Sequence, residues 1–375
     1  MNQTISEQVP AVKFLLLQVL RGVAVVLVVH FHAIEAQTLY LDSSNHSWQE
    51  GFVHLKTFGA VGVDLFFVIS GFIIVYTSRR YLQRGAGGEF FLKRLLRIVP
   101  LYWLVTGLVL VSQWALKQPV AGVEVWKSLL FFPFFDEERF IMPVLAVGWT
   151  LSFELLFYLL TALLLFSKSR HYMLWVILLL LLAISAGWWF PSPESWLVFA
   201  TNPMLYEFVY GTVIGLLYLK TSQQKGFTSG LFPKRLVLVG AVGFLATLLV
   251  GYEHMGFLAA TLSGEGAFMR ALLWGLPSAF VVAGCVFLET SQVITVPRFL
   301  LALGDASFSI YLMHTFPIKA LTVFWNKFEL PFLDWFVLLA TLLSVLVGWF
   351  FHVLVERRML TWANSVFLPK QPLSR

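Results

Sequence analysis

An arginine and a histidine stand eleven positions apart in a run that is otherwise almost wholly apolar, Leu20-Arg21-Gly22-Val23-Ala24-Val25-Val26-Leu27-Val28-Val29-His30-Phe31-His32. If the run is one helix, eleven steps of about 100° bring His32 back to within roughly 20° of Arg21, about 16 Å further along the axis. One face then carries a permanent cation at one depth and, at another, an imidazole that titrates near neutral pH. The cation suits an anion; the imidazole suits a proton taken from a hydroxyl. An arginine at the centre of a membrane helix costs about 2.5–3.5 kcal/mol, so the pair marks a functional site. His30 points about 200° away from His32 and cannot share that face.

Other apolar stretches carry similar exceptions. Thr150, Glu154, Tyr158 and Thr161 form a polar stripe at helical spacing, as do Ser307, Tyr311 and His314, and Asp64 interrupts a third stretch. By depth along their segments, Asp64, Glu154 and His314 are expected at the level of His32. Asp64 and Glu154 fit equally a role on substrate or a structural pairing with Arg or His across the bundle. His314 fits a site residue or a side chain satisfied by a backbone carbonyl. Glu207, beside Tyr206 and Tyr210, has no stripe to support it. Arg94 and Arg97, three apart on one helical face, are expected near the depth of Arg21. Guanidinium forks match phosphate oxygens, although the same residues also serve to set topology or hold anionic lipid.

The elements that must position these groups are membrane helices. The 375-residue chain is 59% hydrophobic and 12% charged, with a mean hydropathy of +0.81, against about 25% charged in soluble domains. The single Cys285 excludes a disulfide framework and a cysteine-rich metal site. Ten spans of about 20 residues are expected, near 15–34, 58–77, 98–116, 148–166, 172–190, 196–219, 236–252, 270–288, 299–321 and 332–355. With the N-terminus in the cytoplasm, 19 of the 26 Lys and Arg residues fall on the inner side. Arg270 and Lys319 are among the seven outside. That bias puts both termini inside. The first apolar run reads as a retained helix rather than a cleaved signal. The expected organisation is a cytoplasmic tail 1–14, a membrane domain 15–358 and a cytoplasmic tail 359–375, with Trp126–Phe135 as an interfacial or re-entrant piece.

Five blocks, in order, resemble the acyltransferase-3 family of integral-membrane acyltransferases that modify bacterial surface polysaccharides. Arg21 and His32 meet its Arg/Lys-x10-His signature, and Arg94 and Arg97 its Arg-x-x-Arg signature. The other three are Gly62–Phe72, Trp149-Thr150-Leu151-Ser152-Phe153-Glu154 with Phe157-Tyr158, and Ser307-Phe308-Ser309-Ile310-Tyr311-Leu312-Met313-His314. Phe308 stands where the family usually has Tyr. The match runs from about Phe14 to Arg358, without the extracytoplasmic domain fused in some relatives. The resemblance implies an all-α polytopic bundle in a bacterial cytoplasmic (inner) membrane. It implies an acyl-CoA donor, most often acetyl-CoA, and a carbohydrate hydroxyl as acceptor, free or lipid-linked, with membrane lipid around it and neither metal nor nucleic acid.

On that reading Arg94 and Arg97, with Arg21, hold the CoA phosphates, and His32 is the general base. Glu154, or Asp64, orients its imidazole. Tyr158, Ser307, Tyr311 and His314 contact the sugar or the thioester oxyanion, and Ser70 is a conceivable acyl resting place. Two alternatives stay open: succinyl transfer to a periplasmic glucan, with Arg270 or Lys319 as the outer cation, and a proton-coupled transporter or glycan flippase. Single cysteines at Arg84 and Asn45 are expected to label from opposite sides of the membrane; labelling from one side would overturn the topology.

Overall fold

The computed structural model describes residues 14–41, 53–118, 120–132, 134–136, 139–191, 194–221, 230–250, 258–264 and 266–367. The tail expected before residue 14, Asn45, the Ser192-Pro193 pair, most of the turn at 223–230 and the C-terminal tail from residue 368 lie outside these. Apolar sequence becomes helix here because a backbone in lipid must satisfy its own hydrogen bonds. The principal helices are α1 (Leu15–Tyr40), α2 (Val61–Leu82), α3 (Gly87–Ala115), α4 (Trp149–Leu165), α5 (Tyr172–Trp189), α6 (Leu205–Thr221) and α7 (Phe232–Val250). They are followed by α8 (Ala267–Ser291), then α9 (Arg298–Asp305), α10 (Ser307–Met313), α11 (Thr315–Lys327), α12 (Leu333–Phe351) and α13 (Arg357–Phe367). Between α3 and α4, a short helix Gly122–Leu129 and the antiparallel strands Phe134–Asp136 and Arg139–Ile141 occupy the stretch expected to be interfacial. Tyr102 and Trp103 of α3 hydrogen-bond to Ser128 and to the Leu129 carbonyl, tying that stretch down.

Among the described residues eight helices are long and apolar enough to cross a membrane, and the chain is a multi-pass membrane protein. The two other expected spans, 196–219 and 299–321, are each divided into shorter helices. The first is a six-residue turn of helix followed by α6. The second is α9, α10 and α11 in sequence. Pro317 has no N–H to give the Met313 carbonyl, and its ring crowds that carbonyl, so the chain breaks at His314. Likewise Pro277 deprives the Leu273 carbonyl of a partner, and a π-turn lies there, at Ala271–Gly275. The C-terminal segment expected as a tail from residue 359 is helical through Phe367. It continues α12 through a second π-turn, His352–Glu356.

Packed pairs give several segments a direction. Gly62 abuts Ala24 and Val28, while Gly59 abuts Leu27 and Phe31, so α2 runs opposite to α1. Phe67 meets Trp149 and Phe153, and Ser70 meets Glu154, so α4 runs with α2. Arg270 bonds Ala60 and Asp64 at one end of α8, and Glu289 caps the N–H groups of Leu15 and Leu16 at the other. Accordingly α8 also runs with α2. Arg21 reaches Ser307 and His32 lies on His314, so α9–α11 follow α1. Ser344 donates to the His314 carbonyl while Ser309 donates to Glu356, which reverses α12. Each of these relations is one that a chain passing back and forth requires.

Lipid removes the hydrophobic drive between helices, leaving close packing and polar bonds to hold them. One tight seam is α2 on α6. A Cβ at Gly71 would lie 2.5 Å from the Phe208 carbonyl oxygen, and one at Gly211 would lie 2.1 Å from that of Val68. Gly211→Ala is therefore expected to lower the unfolding temperature in detergent, by the equivalent of about 1–3 kcal/mol for overpacking. Gly107→Ala, with nothing within 4 Å among the described residues, serves as the control and is expected not to lower it, since alanine favours a helix over glycine.

Candidate active site

His32 and His314 come together from two helices, with ring centroids 4.8 Å apart and planes tilted by 55°. Each imidazole is held by its own helix. His32 Nδ1 lies 2.9 Å from the Val28 carbonyl oxygen and His314 Nδ1 lies 2.7 Å from that of Tyr311. A carbonyl can only accept, so both rings carry their proton on Nδ1 and keep the Nε2 lone pair free. Nε2 of the fully buried His314 has no hydrogen-bond partner among the described residues. His30 faces elsewhere, 3.4 Å from Thr341 Oγ1 on α12.

The orienting group of His32 is thus a carbonyl one turn back, and the expectation that Glu154 fills that role is corrected. Glu154 sits at the depth of Ser70, toward the arginines, because α4 runs beside α2 in the same direction. Its Oε1 accepts from Ser70 Oγ at 2.9 Å and from the Tyr158 hydroxyl. Ser70, the conceivable acyl resting place, is therefore at the arginine level and distant from His32. Of the late block, Ser307 is taken by Arg21, and the Tyr311 hydroxyl is shared between the Val147 carbonyl and Thr150. His314 alone in that block keeps an unengaged atom.

Arg21 does meet the arginines of α3. Its guanidinium donates to Ser307 Oγ at 2.9 Å and Gln18 Oε1 at 3.2 Å, and it lies within electrostatic reach of Arg97, Glu154, Glu356 and Asp305. Arg94 is buried, donates to Thr77 Oγ1 and lies over the rings of Phe90 and Tyr158. Arg97 is exposed and within reach of both Arg21 and Arg94. Of the three guanidiniums, that of Arg97 is the most open to an incoming anion. Sequence reasoning missed Glu356, whose Oε2 accepts from Ser309 Oγ and lies on His352 Nδ1, both at 2.6 Å. The signal available was the His352–Glu356 spacing of four at the end of an apolar span; the adjoining Arg357-Arg358 made the segment read as topogenic.

Asp64 belongs to neither group. Its carboxylate accepts from Arg270 Nε at 3.1 Å and Nη2 at 2.8 Å. Arg270 also bonds the Ala60 carbonyl and lies over the Trp274 ring. Both residues are buried, which corrects the outer-loop position expected for Arg270. An arginine engaged in this way is no longer an outer cation for a succinyl carboxylate. Glu207 is buried beside the pair, within reach of the Asp64 carboxyl and the Arg270 guanidinium.

Comparison with known proteins places residues 15–353 in a family described as an acyltransferase domain. The exopolysaccharide production protein ExoZ of Rhizobium meliloti strain 1021 is 36% identical over 271 residues, covering 71% of this chain and 78% of that protein. The acyltransferase MdmB of Streptomyces mycarofaciens is 23% identical over 307 residues, covering 71% of this chain and 70% of that protein. No solved structure matches.

The Asp64–Arg270 pair generates its own prediction. Asp64→Ala strands a buried guanidinium and is expected to destabilise the protein by about 3–5 kcal/mol. Asp64→Leu combined with Arg270→Met should recover much of that loss in detergent unfolding. A double variant no more stable than Asp64→Ala would contradict the pairing.

Proposed function

The chain belongs to the acyltransferase family and is an O-acyltransferase of the membrane; on that premise we propose that it moves an acetyl group from acetyl-CoA, entering on the cytoplasmic side, to a hydroxyl of an exported or surface polysaccharide in the bacterial inner membrane. The observation that carries this reading is the disposition of α1. Near one end it holds Arg21 within reach of the exposed Arg97. About 16 Å along the same face it presents His32 with the proton fixed on Nδ1 and the basic nitrogen free. The relationship to ExoZ, a protein named for exopolysaccharide production, favours a polysaccharide acceptor.

The acceptor hydroxyl gives its proton to Nε2 of His32 as its oxygen attacks the thioester carbonyl carbon. The carbon–sulfur bond breaks, and the leaving thiolate takes the proton back from His32. Ester and free CoA thiol result, and the base is regenerated. Arg97 meets the donor's phosphates first, and Arg21 and Arg94 fix the positive layer behind it. The carboxylates of Glu154 and Glu356 keep that layer near neutral when the donor is absent. In this scheme Glu154 is a positioning residue, acting through Ser70 and Tyr158.

His32→Ala is expected to abolish acyl transfer with undiminished protein in the membrane, while His30→Ala retains most activity; wild-type activity in His32→Ala would remove the base assignment. Arg97→Lys should raise the KM for acetyl-CoA roughly tenfold with little change in that for the acceptor, because a lysine loses the bidentate fork. Equal effects on both substrates would argue against phosphate binding there. Mass spectrometry of surface glycan with and without the gene tests the whole reading: a loss of one acetyl unit per repeat is the expected result.

A further inference from the structure

The polar face of α13 has no part in the scheme so far. Arg358, Thr361, Trp362 and Ser365 follow one another at spacings of three, one and three, which places them on one side of the helix. With Val353 and Arg357 they line a groove of about 520 Å³. Both arginines are exposed, neither has an ion-pair partner among the described residues, and no acidic side chain lines the groove. Trp362 is 58% exposed. The hydroxyls of Thr361 and Ser365 donate to the carbonyls of Arg357 and Trp362, so their oxygens are left as acceptors. Two unpaired guanidiniums, a flat indole and two hydroxyl acceptors are the complement of a phosphorylated purine nucleoside. They would bind its phosphates, its ring face and its exocyclic amine.

Position along the bundle points to the same occupant. Ser309 bonds Glu356 and Ser307 bonds Arg21, and α12 runs opposite to α10. Residues after Glu356 therefore lie beyond Arg21 on the side away from His32. If the acyl carbon is at His32 and the linking phosphates are at the arginine layer, the nucleoside must lie further out in that direction. That is where α13 begins. Ala363 is buried as α13 packs against α3, the helix that supplies Arg94 and Arg97.

We propose that the face formed by Arg357, Arg358, Thr361, Trp362 and Ser365 seats the phosphorylated adenosine end of acyl-CoA, an assignment that rests on the donor reading above. The anionic headgroup of a lipid shares the phosphate chemistry, and the experiment separates the two. The full-length protein is placed in phosphatidylcholine nanodiscs and titrated with adenosine 3′,5′-bisphosphate, following tryptophan fluorescence. Quenching is expected in the wild type, lost in Trp362→Phe, and shifted at least tenfold to higher ligand concentration in Arg358→Ala. In transfer assays, the ratio of kcat/KM for acetyl-CoA to that for S-acetylpantetheine, which lacks the nucleotide, should fall at least tenfold in Arg358→Ala.

Absence of quenching in the wild type would overturn the proposal. So would quenching by added phosphatidylglycerol in place of the nucleotide, which would make the groove a headgroup site. If both thioesters serve wild type and variant in the same ratio, the groove assignment falls while the donor reading stands. If neither thioester donates, the donor reading itself falls.

Discussion

The guanidinium of Arg21 can neither leave the bundle nor stay in it uncompensated. A permanent cation in a membrane helix is tolerated only where neighbours supply opposite charge and hydrogen-bond acceptors. Here the neighbours come from most of the molecule. Ser307 of α10 and Gln18 of α1 accept from it, and Glu154 of α4, Glu356 after α12 and Asp305 of α9 supply negative charge. The arrangement of those helices follows from the need to surround one side chain. Arg97 adds a like charge to this set, which leaves the layer receptive to a further anion.

Asp64 and Arg270 solve the same problem without that openness. Both are buried, and the bidentate geometry together with the Ala60 carbonyl uses most of the donors of Arg270. The pair welds α2 to α8 at a point far from the exposed arginine. Similar residue types thus serve opposite ends: one cluster is closed and structural, the other is left with an accessible cation. Exposure of a single guanidinium separates them, and exposure is a property of the packed bundle.

The helical class, the register of Arg21 with His32 and the meeting of α1 with the Ser307–His314 block were all legible from spacing in the sequence, because helical period and hydropathy are local. Depth was not. Glu154 was expected beside His32, since its distance from the start of its own segment suggested it. The inter-helix seam between Phe67 and Trp149 instead sets α4 deeper. The break at His314 follows from Pro317, yet its effect is tertiary: it turns a carbonyl toward Ser344. Arg357-Arg358 matched a topology signal so well that the helix they begin went unread. Charge bias explains where such arginines lie, and says nothing of which face they share with a tryptophan.

Because Val28 holds His32 through a main-chain carbonyl, the imidazole is registered by a hydrogen bond within its own helix. Arg21 is on that helix too, so the separation between Arg21 and the His32 ring is set within one helix, whatever the surrounding helices do. In the proposed reaction, helices that part for a bulky acceptor leave that spacing unchanged. No side-chain substitution can delete a carbonyl. The spacing is therefore buffered against side-chain substitution at Val28, and in the proposed reaction it sets the reach asked of the donor.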